Sequence, residues 1–327
     1  MKTQENNGVI RIKKQGPPSV LEYTNEKLSE PGQNEVIIKQ EAIAINFVDV
    51  MFRNGTFPIN TFPATIGVEA AGRIEQLGPG VSEFSTGDRV GYFFALGAYA
   101  ERRLININEL IRIPDDITFD QAASVLAKGL TARMLIKQAY QVKPNDVVLV
   151  HAAAGGVGSL VAKWAKSLGA TVIGTVGNIS KKDLALSYGL DHVVALDTEN
   201  LEEIIFSVTK NHRIDAVYDG VGKATFERTL PLISAEGVAV LYGTASGEPK
   251  IDKEYLNAKQ IRLIRPSLGQ FLNGQKSVAD AADDLFQAVR SGALGEIKPA
   301  IYPLADVARA HQDLEGSRTT GSLVLHP

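Results

Sequence analysis

Two stretches of different character predict an α/β chain, in which a doubly wound parallel sheet is joined to a second, β-rich domain. Across residues 1–115, short runs rich in β-branched residues alternate with turn signals. Beyond Pro114, apolar strands and amphipathic helices alternate in units of about 20 to 25 residues, the pattern of βα repeats on a parallel sheet. A length of 327 residues suits two domains at roughly 150 residues each.

In the N-terminal stretch the strand runs are 9–12, 36–45, 66–77, 89–93 and 98–104, parted by Gly16-Pro17-Pro18, Pro31-Gly32 and Gly78-Pro79-Gly80. The character changes at Pro114-Asp115-Asp116. Thr118 and Gln121 then form a T-x-x-Q capping box ahead of a helical pattern that reaches about Tyr140. Val147–Val150 is a continuous apolar strand. Val157, Leu160, Val161, Trp164, Ala165 and Leu168 share one helical face, and Gly169 stops that helix. Thr171–Val176 is the second strand, and His192–Ala195, 214–218 and 238–242 follow with helices between them. After Arg265-Pro266 the pattern loosens, ending in a strand at 323–325. The expected domains are 1–124 with 265–327, and 125–264 between them.

Composition removes several function classes. With 34 basic and 37 acidic residues and a net charge of −3, there is no general attraction toward nucleic acid or an anionic membrane. The absence of cysteine excludes disulfides, thiolate zinc sites, iron–sulfur clusters and a cysteine nucleophile. The N-terminus shows no apolar signal-peptide core, and no window reads as a membrane span, so a cytoplasmic protein is expected. Histidines 151, 192, 212, 311 and 326 lack metal-ligand spacing, and His151, ending an apolar strand, reads as a hydrogen-bonded structural residue. The acidic pairs 115–116, 202–203 and 283–284 read as solvated helix starts or faces.

The first strand of the repeat series runs into His151-Ala152-Ala153-Ala154-Gly155-Gly156-Val157-Gly158, a dinucleotide fingerprint of the form A-x-x-G-x-x-G. Small residues are required because the chain turns sharply there and its backbone must approach a pyrophosphate. The following helix N-terminus supplies free N–H donors. An NAD site wants a carboxylate about 20 residues on, at the end of the second strand. Gly177 stands at that place, 19 residues past Gly158, and Asn178, Ser180, Lys181 and Lys182 follow. A missing carboxylate with ammonium groups beside it suits a 2′-phosphate, so NADPH is the expected cofactor.

Taken in order, Ala44-Ile45-Asn46-Phe47-Val48-Asp49, Gly67-Val68-Glu69-Ala70-Ala71-Gly72, Gly87-Asp88-Arg89-Val90, Lys128-Gly129-Leu130-Thr131, the loop from His151 to Gly158, Tyr218-Asp219-Gly220-Val221-Gly222, Arg265-Pro266-Ser267-Leu268 and Ser317-Arg318 resemble the medium-chain dehydrogenase/reductase superfamily, in its zinc-free quinone oxidoreductase (zeta-crystallin-like) branch. The resemblance runs from about residue 8 to the C-terminus. It implies a Rossmann domain set within a discontinuous, β-rich, GroES-like catalytic domain, and commonly a homodimer.

The resemblance also implies site roles. Asn46 stands beside nicotinamide and substrate, with an amide able to donate to a carbonyl oxygen. Lys128 and Thr131 contact the nicotinamide side, Lys128 either as a second catalytic residue or as a structural one. Ala152, Gly155, Gly156, Val157 and Gly158 form the pyrophosphate loop. Gly177 and Lys181 match the 2′-phosphate pocket, Tyr242 and Gly243 flank the nicotinamide, and Arg265 and Arg318 reach the cofactor or its cleft. Zinc-dependent relatives carry Gly-His-Glu where this chain has Gly67-Val68-Glu69, so no zinc is expected. Many relatives place tyrosines five and eleven residues after the asparagine; here Met51 and Phe57 line the substrate pocket instead, and Leu196 replaces a tyrosine usual near the adenosine phosphate. The expected activity is hydride transfer from NADPH to a quinone. Two alternatives stand beside it: an enone or enoyl-thioester (alkenal) reductase, and a non-catalytic NADPH-binding protein.

Overall fold

Local chemistry accounts for where the long central helix begins. Gln121 N–H donates to the Thr118 hydroxyl at 3.1 Å and Thr118 N–H to Gln121 Oε1 at 2.9 Å, the reciprocal box expected from the sequence. The computed structural model describes residues 6–209, 214–272 and 274–327, so His212 lies outside the described residues. The chain divides into two compact units, one of residues 1–127, 274–286 and 297–327 and one of residues 128–273 and 287–296.

In the first unit, β1 (Asn6–Arg11) and β2 (Glu22–Lys27) pair antiparallel. A seven-stranded sheet takes β3 (Glu35–Ile45), β4 (Ala70–Leu77), β5 (Arg89–Tyr92), β6 (Arg102–Asn106) and β7 (Ile111–Arg112), with the C-terminal strands Ala300–Pro303 and Leu323–His326. Leu323 pairs with Ile45, Val324 with Ala44 and Leu325 with Ile43, so both chain ends build one sheet. Ile38, Ile43, Ile45, Ile66, Ile74 and Leu325 form the centre of its core. The helix α1 (Phe47–Asn54) leaves the end of β3 directly and stops at Gly55, whose φ of 93° is the left-handed conformation that glycine adopts without penalty. The division between units falls within α2 (Phe119–Met134), which continues through a wider π-helical turn at Leu135–Ala139.

The second unit is built on β8 (Val147–Val150), β9 (Thr171–Val176), β10 (His192–Ala195), β11 (Ala216–Asp219), β12 (Val238–Leu241) and β13 (Arg262–Ile264). All neighbours are parallel, in the order β10-β9-β8-β11-β12-β13. This is the doubly wound sheet expected from the repeats, with its order reversing at β8, where such sheets bind ligands outside the carboxyl ends of the strands. Leu149, Ile173, Val194, Val217, Ala239 and Leu241 bury its centre. The strands β2, β7, β13 and Ala300–Pro303 and the helix α1 went unread in the sequence. Each is short, and charged or polar residues or a proline break up its apolar positions, so it gives no continuous apolar run. Among the described residues no helix is long and apolar enough to cross a membrane.

Candidate active site

The dinucleotide loop follows β8 as the fingerprint requires. Ala152 takes a φ of +51°, Ala153 N–H bonds the Thr175 carbonyl at 2.8 Å, and Gly155 N–H closes on the Ala152 carbonyl at 2.8 Å. Gly155 then caps the helix α3 (Gly156–Ser167), whose first turn carries no acidic residue. A Cβ on Gly158 would lie 2.3 Å from the Ala152 carbonyl oxygen and 2.8 Å from that of His151, so only glycine fits this helix–strand contact. Gly155, Gly156 and Val157 are half-exposed at the head of the helix, where first-turn N–H groups lack intrahelical acceptors. The cradle fits a pyrophosphate.

At the end of β9, Gly177 is exposed, and a Cβ there meets nothing within 4 Å. The site therefore has open space where other dinucleotide sites place a carboxylate. Asn178 caps the short turn Ile179–Lys181 through Ser180 N–H at 2.9 Å, which brings the half-buried Lys181 in just after Gly177. Desolvation lowers the Lys181 pKa. Lys182 is held by Glu199. Leu196 is half-buried and donates its backbone N–H to the Val176 carbonyl at 2.9 Å.

The carboxyl ends of β11 and β12 are tightly joined. Asp219, fully buried, accepts from Val221 N–H (2.7 Å), Gly222 N–H (3.0 Å) and the Thr225 hydroxyl (2.8 Å). A Cβ on Gly220 would lie 2.6 Å from the Tyr242 ring, and one on Gly243 would lie 2.8 Å from the Gly220 carbonyl oxygen. Desolvation, with Asp219 adding to it, pushes the Tyr242 phenol well up. His151 bridges the Thr175 and Thr229 hydroxyls at 2.8 Å each, and burial lowers its pKa, so it is the hydrogen-bonded structural residue that was expected. Lys128 is buried and Thr131 half-buried on α2. Arg265 gives Nη2 to both oxygens of Glu248 at 2.9 Å.

In the first unit, Asn46 is the N-cap of α1 and is buried. It faces Asp49 in a capping box: its backbone N–H donates to Asp49 Oδ2 at 2.8 Å, and its backbone carbonyl accepts from Asp49 N–H at 3.0 Å. Its Nδ2 donates to Glu69 Oε2 at 2.8 Å, and Ala127 N–H holds the other Glu69 oxygen at 2.7 Å. The Glu69 carboxylate can only accept, so the amide turns Nδ2 and not Oδ1 toward it. Met51 and Phe57 are brought together by the bond from Phe57 N–H to the Met51 carbonyl at 3.0 Å, and Phe57 packs edge-on against Phe52 with ring centroids 5.5 Å apart. Arg318 pairs with Asp313 at 2.8 Å and holds that carboxyl below its usual range.

Sequence reasoning assigned no role to Asp49, Glu69, Arg53, Tyr99 or His311, all of which connect to Asn46 through hydrogen bonds. Asp49 carried a local signal, an acceptor three residues after Asn46, the spacing of a capping box. Glu69 stood out only as part of a motif, and Arg53, Tyr99 and His311 find their partners far off in sequence and gave none.

Residues 32–115 match the family described as alcohol dehydrogenase GroES-like domain, and residues 156–287 match the family described as zinc-binding dehydrogenase. A quinone oxidoreductase of Pseudomonas aeruginosa is 38% identical over 97% of this chain and 99% of its own length. A 2-haloacrylate reductase of a Burkholderia species is 36% identical over 97% of this chain and 98% of its own. The crystal structure of Escherichia coli quinone oxidoreductase complexed with NADPH superposes with a TM-score of 0.93 at 37% identity, covering 98% of this chain and 100% of that one.

Proposed function

The chain belongs to the quinone oxidoreductase family of the medium-chain dehydrogenases/reductases, and from that membership we propose that it is an NADPH-dependent oxidoreductase that delivers hydride to a quinone without zinc. The observation that carries the cofactor choice is the clear space at Gly177 with Lys181 four residues on, where a carboxylate would otherwise exclude the 2′-phosphate. The zinc-free reading is supported by the residues themselves. Val68 has no donor atom, the chain has no cysteine, and among the described residues no cluster of three or more histidines or carboxylates could hold a metal ion.

NADPH, when bound, supplies a hydride equivalent from its nicotinamide ring. The loop Ala152, Gly155, Gly156, Val157 and Gly158 would hold its pyrophosphate, Gly177 and Lys181 its 2′-phosphate, and Thr131, Tyr242, Gly243, Arg265 and Arg318 its remaining groups. Asn46 has one Nδ2–H on Glu69 and turns the other toward the acceptor carbonyl, whose oxygen gains negative charge as it is reduced. Glu69 accepts from Asn46 and so sharpens that donor's direction. Lys128, one residue beyond the Ala127 N–H that anchors Glu69, is the second residue assigned to catalysis. Met51 and Phe57 carry no exchangeable proton and present an apolar wall, so the proton comes from solvent. We assign residues 1–124 and 265–327 to the catalytic domain and 125–264 to the cofactor domain, in a cytoplasmic homodimer.

A second reading, reduction of an activated alkene such as an enone or enoyl thioester, is favoured by that apolar wall and by the likeness to 2-haloacrylate reductase. The discriminating experiment follows NADPH oxidation at 340 nm against a panel of quinones and enones, with NADH in parallel. Quinone-dependent oxidation confined to NADPH supports the first reading. Turnover on enones alone moves the assignment to the second, and binding of NADPH with no turnover on any acceptor refutes both.

A further inference from the structure

A continuous chain of buried polar groups runs from the outer edge of the first unit to Asn46. Arg53, on α1, gives Nη1 and Nη2 to the two oxygens of Glu315 at 2.8 Å each, and Nε to the Gly16 carbonyl at 3.0 Å. The same Nη1 lies 3.2 Å from His311 Nδ1. His311 Nε2 lies 2.8 Å from the Tyr99 hydroxyl, and that hydroxyl lies 2.9 Å from Asp49 Oδ2, the oxygen that also receives Asn46 N–H. Arg53, His311, Tyr99 and Asp49 are each no more than 1% exposed.

The chemistry gives every link one sense. A guanidinium only donates, so Nδ1 of His311 must be the lone-pair nitrogen. Burial and the nearby Arg53 hold the His311 pKa down at about 3, so the ring is neutral and its proton sits on Nε2. Nε2–H therefore donates to Tyr99, whose own proton goes to Asp49. The opposite tautomer would turn two N–H donors on each other at Nδ1 and take the Tyr99 proton away from Asp49. The Tyr99 ring is fixed as well: it fills the space of a Gly67 Cβ, with ring carbon 2.3 Å from that position, and its backbone carbonyl accepts from Ile10 N–H at 2.8 Å.

We propose that Tyr99 and His311, braced by Arg53, are positioning residues that act through Asp49 on the Asn46 backbone N–H, and so hold the Asn46 amide in its donor orientation. The inference rests on the role given to Asn46 above. An N-cap needs only Asp49 and Asn46, so nothing in the helix itself calls for a tyrosine, a histidine and a buried arginine beyond it. Buried charge pairs are seldom worth more to stability than apolar packing of the same volume. A specified orientation is what such a chain can add.

The test uses Tyr99→Phe, His311→Leu and His311→Gln in the full-length protein, in the parent and in an Asn46→Ala background. Readouts are kcat and KM with NADPH and 1,4-benzoquinone, NADPH Kd by fluorescence, melting temperature, and the Asn46 side-chain amide resonances of the cofactor-free protein, assigned by their loss in Asn46→Ala. We expect Tyr99→Phe to lower kcat about five- to thirtyfold, leave NADPH Kd within about twofold, and shift the Asn46 amide pair. His311→Leu should match it. His311→Gln, able to accept from Arg53 and donate to Tyr99, should recover most of the loss. In the Asn46→Ala background Tyr99→Phe should cost less than about twofold, because residues acting through one group are not additive. An equal loss in both backgrounds overturns the proposal, as does an unchanged kcat in Tyr99→Phe where Asn46→Ala is strongly impaired. If Asn46→Ala itself keeps full activity, the role of Asn46 fails, and the amide resonances alone decide the positioning claim: unchanged signals in Tyr99→Phe and His311→Leu overturn it.

Discussion

Replacing Gly177 with aspartate reverses the electrostatics at the end of β9 without asking the fold to move. A Cβ there meets nothing within 4 Å, the residue is exposed, and its φ is not in the left-handed region. The β9 hydrogen-bond register has already ended at Val176, so stability should change by no more than about 0.5 kcal/mol. A carboxylate about 4 Å from a phosphate oxygen is repelled by roughly 1 kcal/mol per charge pair in water and roughly 4 kcal/mol at an effective dielectric constant of 20. An exposed position lies toward the lower figure, but the 2′-phosphate carries between one and two charges, which puts the penalty at about 2–4 kcal/mol. That is about 30- to 1000-fold in NADPH affinity. The same carboxylate gains hydrogen bonds to the ribose hydroxyls of NADH, at about 1 kcal/mol each. The NADPH:NADH ratio of kcat/KM should therefore fall by at least about a hundredfold, and the change should shrink as salt is raised. Initial rates at 340 nm with both coenzymes and one quinone measure it, beside a melting curve. A ratio unchanged within about threefold, in a protein of parental melting temperature, would refute the placement of the 2′-phosphate at Gly177.

Three further outcomes are expected. Lys181→Ala should erode the preference for NADPH by about tenfold, while Lys182→Ala, whose ammonium is already held by Glu199, should change it less than about twofold; coenzyme kinetics on both variants separate the two lysines. Gly158→Ala places a methyl 2.3 Å from the Ala152 carbonyl oxygen, so it should cost about 1–3 kcal/mol in denaturant unfolding and abolish measurable NADPH binding by calorimetry. The third concerns pH. His311 is neutral in the fold, with a pKa near 3 set by burial and then Arg53, and it faces the Arg53 guanidinium and the Tyr99 hydroxyl. Unfolding frees it to take up a proton near its ordinary pKa, about 6.5, so between these values the unfolded chain binds more protons and stability falls as pH falls. At pH 4.5 the loss from this group is about 3 kcal/mol, and His151, also lowered by burial, adds in the same direction. His311→Gln should remove that share, so equal pH 7 to pH 4.5 differences in the two proteins' unfolding free energies would exclude it.

What could be read in advance was what is local in sequence. The strand, the small-residue turn and the helix around His151 to Gly158 are contiguous, and each enforces its neighbour's conformation. The parallel sheet followed from the repeat of apolar runs, because a parallel strand buried on both faces has no choice but to be apolar. β13 broke that rule: it is an edge strand of three residues that begins on an exposed arginine, and the pattern dissolved there. α1 was hidden between strand-like stretches, although Asn46, Asp49 and Gly55 mark its start and stop. Charge counting put Lys181 and Lys182 on an equal footing, and only the fold gives Glu199 to the second. Glu69, and the groups behind Asp49, were beyond reach of any local pattern. Tyr99 and His311 are 212 residues apart, and what joins them is the pairing of the C-terminal strand with β3.

On the positioning proposal, the segment Gly67-Val68-Glu69 belongs to the same device. Gly67 takes a φ of +87° and has no side chain because the Tyr99 ring occupies that space, and Glu69 is buried because it receives the Asn46 amide. The two residues flanking Val68 are thus both committed to the groups that hold Asn46. In relatives that carry histidine at the middle position, a metal can polarise a carbonyl and fix its direction at once. On the zinc-free reading, a neutral amide must do this, and an amide polarises weakly unless its N–H points along one line in a dry site. Direction then matters more than charge. Arg53, Asp49, Glu69 and His311 each have to be desolvated to provide it, at several kcal/mol per charged group before their mutual hydrogen bonds offset the cost. A core selected for stability alone would fill the same volume with apolar side chains. Retaining buried donors and acceptors that converge on Asn46 is what selection on its orientation would produce.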